Sequence, residues 1–479
     1  MLKESKCSAL SNSITNIKFD SIMKKEIDRR EFLKRMGAGA AVIGATSALN
    51  SCTGGAGSAI TENFDPSGTV KTDLGEMTYR TNPNNGDKIS ILGYGCMRWP
   101  NDPVTGEIDQ EMVNKLVDKA IEHGVNYFDT SPAYLRGLSE RATGIALKRY
   151  PRESYYIATK LSNFAPQQQS FEESVALYKK SFVEMQTDYI DYLLLHSIGS
   201  SMENFEVRYL NNGILDYLVE EKKKGHIRNL GFSYHGGNEV FDRAMKMHDD
   251  GEYHWDFVQI QMNYVDWTTG NCRYLYEELT KRNIPVVIME PLLGGRLSKL
   301  PNHVIAHLKA RRPEDSAASW AFRFLGTFPN IMCVLSGMTY MEHLDDNLKT
   351  YCPLEELTDE EFNYLEETAE LIRKYPTIPC NDCKYCMPCP YGLDIPGIFL
   401  HYNKIVNAGT MPNNPEQKEY AELRRNYLID YNRTIPTLRQ ADHCINCNQC
   451  SSHCPQNIRI PQELNKIADK IEALKREGK

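Results

Sequence analysis

From about residue 77 to 350, short runs of β-branched and aromatic residues alternate with longer stretches whose apolar positions recur every three or four residues. The short runs predict strands at Ile89–Leu92, Asn126–Asp129, Tyr155–Thr159, Tyr189–Leu195, Ile227–Phe232, Phe257–Gln261, Pro285–Met289 and Ile331–Leu335. Between them Gln110–Glu122, Phe171–Met185, Cys272–Lys281 and Ser316–Leu325 carry the helical period. Strands separated by helices predict parallel βαβ units. Eight of them in this length match a closed (β/α)8 TIM barrel. An open doubly wound sheet is the competing fold, but no GxGxxG follows the first strand. Met77–Arg80 and Lys88–Leu92, joined by TNPNNGD, predict a hairpin plugging the barrel bottom.

The chain has 479 residues, enough for two or three domains, and is 41% hydrophobic and 25% charged. That composition excludes a disordered tail protein, and the negative mean hydropathy excludes a membrane bundle. A net charge of −8, spread along the chain, offers no nucleic-acid surface. Cysteine is the uneven feature: of 14, eight fall between Cys380 and Cys454. Clustered thiols point to a metal. Cys96, Cys272, Cys333 and Cys352 are isolated in or beside apolar segments and read as buried thiols.

Residues 24–35, KKEIDRREFLKR, precede the weakly apolar stretch MGAGAAVIGATSAL, too short to span a bilayer. Arg29 and Arg30 with Phe32, Leu33 and Lys34 resemble a twin-arginine export signal, which implies a periplasmic destination. A start at Met23 would give that leader a more typical length. Leu49-Asn50-Ser51-Cys52 resembles a lipoprotein cleavage box, making Cys52 a candidate lipid anchor. The expected organisation is a signal over 1–52, a linker over 53–74, the barrel over 75–352, a helix and connection over 353–378, and a cysteine-rich domain over 379–470.

In such a barrel, chemistry sits at the C-terminal ends of the strands. Those ends carry Asp129 and Tyr134, then Lys160, then His196. YFDTSPAY, IATK and LLLH resemble aldo-keto reductase motifs, over roughly residues 75–350. Carbonyl reduction adds hydride to carbon and a proton to oxygen, and a free tyrosine is a poor acid at neutral pH. The resemblance implies Tyr134 as the acid, with Lys160 lowering its pKa and Asp129 holding Lys160. It implies that His196 orients and polarises the substrate oxygen. The bland alternative is a buried Asp129–Lys160 ion pair capping the strands. Trp99 and Trp267 fall in loops where the family builds its substrate pocket.

The same resemblance implies NADP(H), with NAD(H) left open. Ser233 and Gln261 match positions for the nicotinamide carboxamide. Gly294 and Gly295 match a pyrophosphate approach. Gly337, Glu342 and Asn347 match the adenine side. Two departures stand out: Tyr234 replaces a common asparagine, and Glu290 stands where an aromatic usually stacks on the nicotinamide.

After a predicted helix at Thr358–Lys374 come Cys380, Cys383, Cys386 and Cys389, then Cys444, Cys447, Cys450 and Cys454 followed by Pro455. The second run has the bacterial ferredoxin spacing, and the first differs only before its last thiol. Two-cluster ferredoxins exchange their fourth ligands. This resemblance implies two 4Fe–4S clusters: Cys380, Cys383, Cys386 with Cys454, and Cys444, Cys447, Cys450 with Cys389. Zinc is the alternative, but tetrahedral zinc would leave thiols idle in each run. Helical patterns at Pro396–Ala408 and Pro415–Asp430 resemble a mainly α-helical ferredoxin-like domain. The Lys/Arg-rich end reads as a solvated helix face. The expected activity is that of an oxidoreductase on an aldehyde, ketone or sugar carbonyl, with an electron-transfer protein as candidate partner. The rival is a non-catalytic barrel carrying the clusters as an electron relay.

Overall fold

A computed structural model describes residues 74–102, 105–199 and 201–477. The export signal, the lipid-anchor cysteine and most of the linker expected from the sequence lie outside the described residues. The described residues belong to one compact unit.

Ten strands follow in chain order: β1 (Tyr79–Thr81), β2 (Lys88–Ser90), β3 (Leu92–Gly95), β4 (Tyr127–Asp129), β5 (Tyr156–Leu161), β6 (Ile190–Leu195), β7 (Ile227–Tyr234), β8 (Phe257–Gln261), β9 (Val286–Met289) and β10 (Ile331–Ser336). Strands β3 to β10 close a parallel barrel in sequence order, sealed where Val334 of β10 faces Leu92 of β3. The expected (β/α)8 architecture is therefore present. β1 and β2 form the separate antiparallel hairpin, with Tyr79 opposite Ser90. Asn82 in its turn donates to the Tyr192 hydroxyl (3.1 Å), and that hydroxyl donates to Asp87 (2.6 Å), so the hairpin is pinned to β6. Ile89 packs with Tyr127, Tyr192, Phe257 and Val287 in the barrel core.

The segment Ile89–Leu92, expected as one barrel strand, is divided between two ladders. Ile89 pairs with Arg80 of the hairpin, whereas Leu92 pairs with β10. At the break Ile91 N donates to Thr78 O (3.0 Å) and Ser90 Oγ donates to Leu92 O (2.7 Å).

Helix boundaries follow their caps. Asp109 receives Met112 N–H at the start of Gln110–Glu122, and Ser170 receives Glu173 N–H before Phe171–Met185. Thr358 and Glu361 form a capping box that starts Asp359–Arg373. Beyond it the helices Ile395–Asn407, Tyr420–Thr434 and Ile460–Arg476 enclose a second apolar core of Ile398, Phe399, Tyr427, Tyr431, Leu464 and Ile467. The last helix corrects the expectation of a merely solvated end, and it runs past 470. Lys466 faces water, but Ile460, Leu464, Ile467, Ile471 and Leu474 recur at helical spacing and are buried. Among the described residues no helix is long and apolar enough to cross a membrane.

Candidate active site

Asp129 ends β4 and Lys160 lies near the end of β5, so parallel pairing brings them side by side at the C-terminal mouth. Both are buried; Lys160 Nζ donates to Asp129 Oδ1 (2.6 Å) and to Thr130 O (2.8 Å). The other carboxylate oxygen accepts from Gln259 Nε2 (3.2 Å). Gln259 sits two residues before Gln261 on β8, hence on the same face of the strand. Burial raises the Asp129 carboxyl, against the pull of the lysine.

Tyr134 opens a short turn in which Leu135 (φ 50°) and Arg136 (φ 57°) adopt left-handed backbone, a cost of about 1 kcal/mol or more each. The turn brings the Tyr134 ring beneath Lys160, whose Nζ lies 4.9 Å from the ring centre, and edge-on to His196 (5.8 Å between centres). The phenol is held well above its usual range, first by burial and next by the Asp129 carboxylate. The ammonium is already engaged by Asp129 and Thr130, so the resting phenol keeps its proton.

His196 follows β6. Its pKa is pushed well below the usual value by burial, then by Lys160, Arg208 and His235. Its Nδ1 lies 2.5 Å from Ser162 Oγ and 3.2 Å from Ser131 Oγ. With Ser162 donating to Nδ1, the neutral ring carries its proton on Nε2. Arg208, on a π-helical turn, donates to His196 O (2.7 Å) and Ser197 O (2.6 Å) and fixes that loop. Its role had no sequence signal. The structure thus brings the four expected residues together. Trp99 and Trp267 are buried, Trp99 donating to Thr143 Oγ1 (3.0 Å).

The residues expected around a dinucleotide are placed as follows. Ser233 Oγ accepts from Ser197 N (2.8 Å). Gln261 exchanges amide hydrogen bonds with Gln456, at 2.8 and 3.3 Å. Gly294 (φ 67°) faces Asn381, whose backbone fills the space a side chain would need, while Gly295 (φ 93°) is open. Gly337 packs on Arg98. Glu342 is exposed, and Asn347 Nδ2 donates to Ser336 Oγ (2.8 Å). Glu290 (φ 56°) is raised by burial, and its Oε1 accepts from Asn381 Nδ2 (2.9 Å). Of these residues Gly294, Glu290 and Gln261 are occupied by the cluster domain, through Asn381 and Gln456, and as folded these three do not fit a nicotinamide dinucleotide. His235, beside Gln261, is lowered to about 4 by burial, and its Nδ1 is buried without a partner.

The thiols fall into two sets. Cys380, Cys383, Cys386 and Cys454 line one cavity with Ile395, Phe399, Ile458 and Ile460. Cys389, Cys444, Cys447 and Cys450 line another with Leu393, Ile395 and Leu464. Burial and then mutual repulsion within the first set raise Cys383 and Cys386 to about 12. Iron would relieve that repulsion by holding the thiols as thiolates. Among the described residues no group of three His, Cys, Asp or Glu closes to hold a single ion. Thiols spread around a cavity suit a cubane, which binds at four corners, better than one zinc ion. Ile395 lines both cavities. Between Cys383 and Cys386, Tyr385 reaches the barrel mouth, its ring 6.0 Å from Phe164 and 6.5 Å from His196.

Comparisons agree with this architecture. The model of the 4Fe-4S dicluster domain matches residues 379–459. L-galactose dehydrogenase of Arabidopsis thaliana is 25% identical over 307 residues, 57% of this chain and 88% of that protein. The uncharacterized oxidoreductase YqkF of Bacillus subtilis is 26% identical over 309 residues, 58% of this chain and 92% of that protein. The holo form of aldo-keto reductase AKR11C1 from Bacillus halodurans shares the fold, with a TM-score of 0.50 and 23% identity over 61% of this chain and 96% of that one. The model of the Aldo/keto reductase family matches residues 91–370, more than half the sequence, and the chain is an oxidoreductase of that family with a C-terminal 4Fe-4S domain.

Proposed function

We propose that the protein interconverts a carbonyl and an alcohol on a small aldehyde, ketone or sugar, with Tyr134 as the proton donor. The observation that carries this is the set Asp129–Lys160–Tyr134–His196 at one barrel mouth, Tyr134 half-buried and the other three buried. A protonated phenol can give its proton to the substrate oxygen; the two electrons would come one at a time from a reduced external carrier through the clusters, and the proton added at carbon from solvent. As phenolate charge grows, Lys160 above the ring stabilises it, and Asp129 with Gln259 keeps Lys160 in place. Neutral His196 donates from Nε2 to the same oxygen. The sugar class is favoured by the name of one relative, L-galactose dehydrogenase, and by the unpartnered His235 nitrogen, which suits a hydroxyl.

Cys380, Cys383, Cys386 and Cys454 would hold one 4Fe–4S cluster, and Cys389, Cys444, Cys447 and Cys450 the other. When bound, such clusters supply single electrons. The docked cluster loop occupies the Gly294 side of the position at which the family resemblance implies a nicotinamide carrier. Export by the twin-arginine route, anchoring at Cys52 and an electron-transfer partner belong to the same proposal. They rest on the sequence of residues 29–52 and on the cluster domain.

The test is anaerobic purification of the iron-loaded full chain and a screen of aldoses and small carbonyls against one-electron mediators. Turnover that Tyr134→Phe abolishes supports the proposal. Mediator oxidation and reduction without any carbonyl turnover would favour a pure electron relay.

A further inference from the structure

The barrel mouth is closed by the segment around Cys380–Cys386, at the positions the family resemblance reserves for a dinucleotide. An ideal β-carbon on Gly294 would lie within 2.5 Å of Asn381 Cβ and O. The glycine therefore admits a backbone, and the backbone it admits is this chain's own. Glu290, in place of the stacking aromatic, accepts from Asn381 Nδ2 (2.9 Å). Arg98, after β3, donates to Asn381 O (2.6 Å) and pairs with Asp382 (3.3 Å). Gln261 of β8 is tied to Gln456, two residues beyond Cys454. Contacts from the Gly294–Glu290 side and from Arg98 converge on Asn381 and Asp382, and Gln261 is held by Gln456 of the second cysteine run; Gly294, Glu290 and Gln261 are residues that depart from the family pattern or serve its cofactor.

We propose that the cluster loop takes the dinucleotide's place: the iron-loaded chain does not bind NADP(H) or NAD(H) at the barrel mouth, and Tyr385 stands between the Cys380-side cluster and the tetrad. Two occupants cannot share the Gly294 surface, since atoms held this close leave no room for a phosphate. The half-buried Glu290 carboxyl is suited to an amide donor and not to a nicotinamide ring. This goes beyond the assignment of Tyr134, and it stands whether or not Tyr134 is the acid.

The first test titrates NADPH and NADH separately into the iron-loaded full chain, followed by tryptophan fluorescence. No saturable binding up to about 1 mM is expected. Saturable micromolar binding overturns the proposal. The second test compares Gly294→Ala with Gly295→Ala, without dinucleotide. Both replace a glycine at positive φ, but only the first adds an atom against Asn381. Gly294→Ala should speed hydrogen exchange across residues 381–386 and alter the spin resonance of the reduced Cys380-side cluster, while Gly295→Ala leaves both unchanged. Equal behaviour of the two variants overturns the seating of the loop on Gly294. A Tyr134→Phe chain should give the wild-type result in both tests, so failure here is separable from failure of the acid assignment.

Discussion

The ammonium nitrogen of Lys160 stands 4.9 Å from the centre of the Tyr134 ring, over its face, while its hydrogen bonds go to Asp129 and Thr130. The lysine therefore acts on the phenol by charge rather than by taking its proton. Tyr134→Phe removes the proton donor and leaves that charge in place. Turnover of a carbonyl should fall by about 10²–10⁴-fold, the usual worth of a positioned acid. Iron content should stay at the wild-type level, since Tyr134 touches neither set of thiols. Undiminished turnover would assign the proton to another group.

Removing one member of the buried pair leaves the other charged and uncompensated. Lys160→Met should cost about 3–5 kcal/mol, read as a drop in the urea midpoint. Pairing it with Asp129→Asn should restore part of that loss, because the orphaned charge is gone. If the single variant is as stable as wild type, the ion pair is not intact in the folded chain.

Most of the barrel was legible because each strand of three to eight residues is bounded by turns, and the helices carry strong caps at Asp109, Ser170, Ser316 and Thr358. The tetrad was legible because strand ends converge once eight parallel strands close. What stayed hidden depends on contacts between distant segments. Ile89–Leu92 reads as one apolar run, yet it serves two ladders that only the hairpin's docking separates. Glu290 looked like a damaged nicotinamide position. Its role emerges from Asn381, 91 residues away, and Tyr385 has no periodicity to mark it as a wall of the barrel mouth. Gln259 and Gln261 share a strand face, and motif matching favoured the second, whereas Asp129 is held by the first.

Glu140 gives a pH-dependent prediction. It is buried, accepts from Thr159 Oγ1 (2.6 Å), and burial raises its pKa from 4.5 to about 6. At pH 7 it is charged in both folded and unfolded chains, and the folded state bears the burial cost. As pH falls from 6 to 4.5 the folded chain protonates first, so this contribution to stability rises on acidification. Glu140→Gln keeps an acceptor for Thr159 without the charge, and should stabilise the fold by about 2 kcal/mol at pH 7. The gain should vanish below pH 4.5, checked by urea unfolding at both pH values. A gain that persists in acid would rule out the charge as its source.

The exchange of fourth ligands makes the sharpest prediction, because it reverses what sequence proximity suggests. Cys454 belongs to the second run by position, but it lines the cavity of Cys380, Cys383 and Cys386. Cys389 belongs to the first run and lines the cavity of Cys444, Cys447 and Cys450. Clusters held in this way would tie together segments more than fifty residues apart, and losing one thiol should empty one cavity while leaving the other. Cys454→Ala and Cys380→Ala should each lower bound iron by about half and remove the same spin-resonance signal. Cys389→Ala should remove the other signal, together with Cys444→Ala. Because the Cys380 set lies next to Tyr385 and the barrel mouth, Cys454→Ala should also loosen the loop on Gly294, seen as faster hydrogen exchange across 381–386. If Cys454→Ala instead matches Cys444→Ala, each run holds its own cluster.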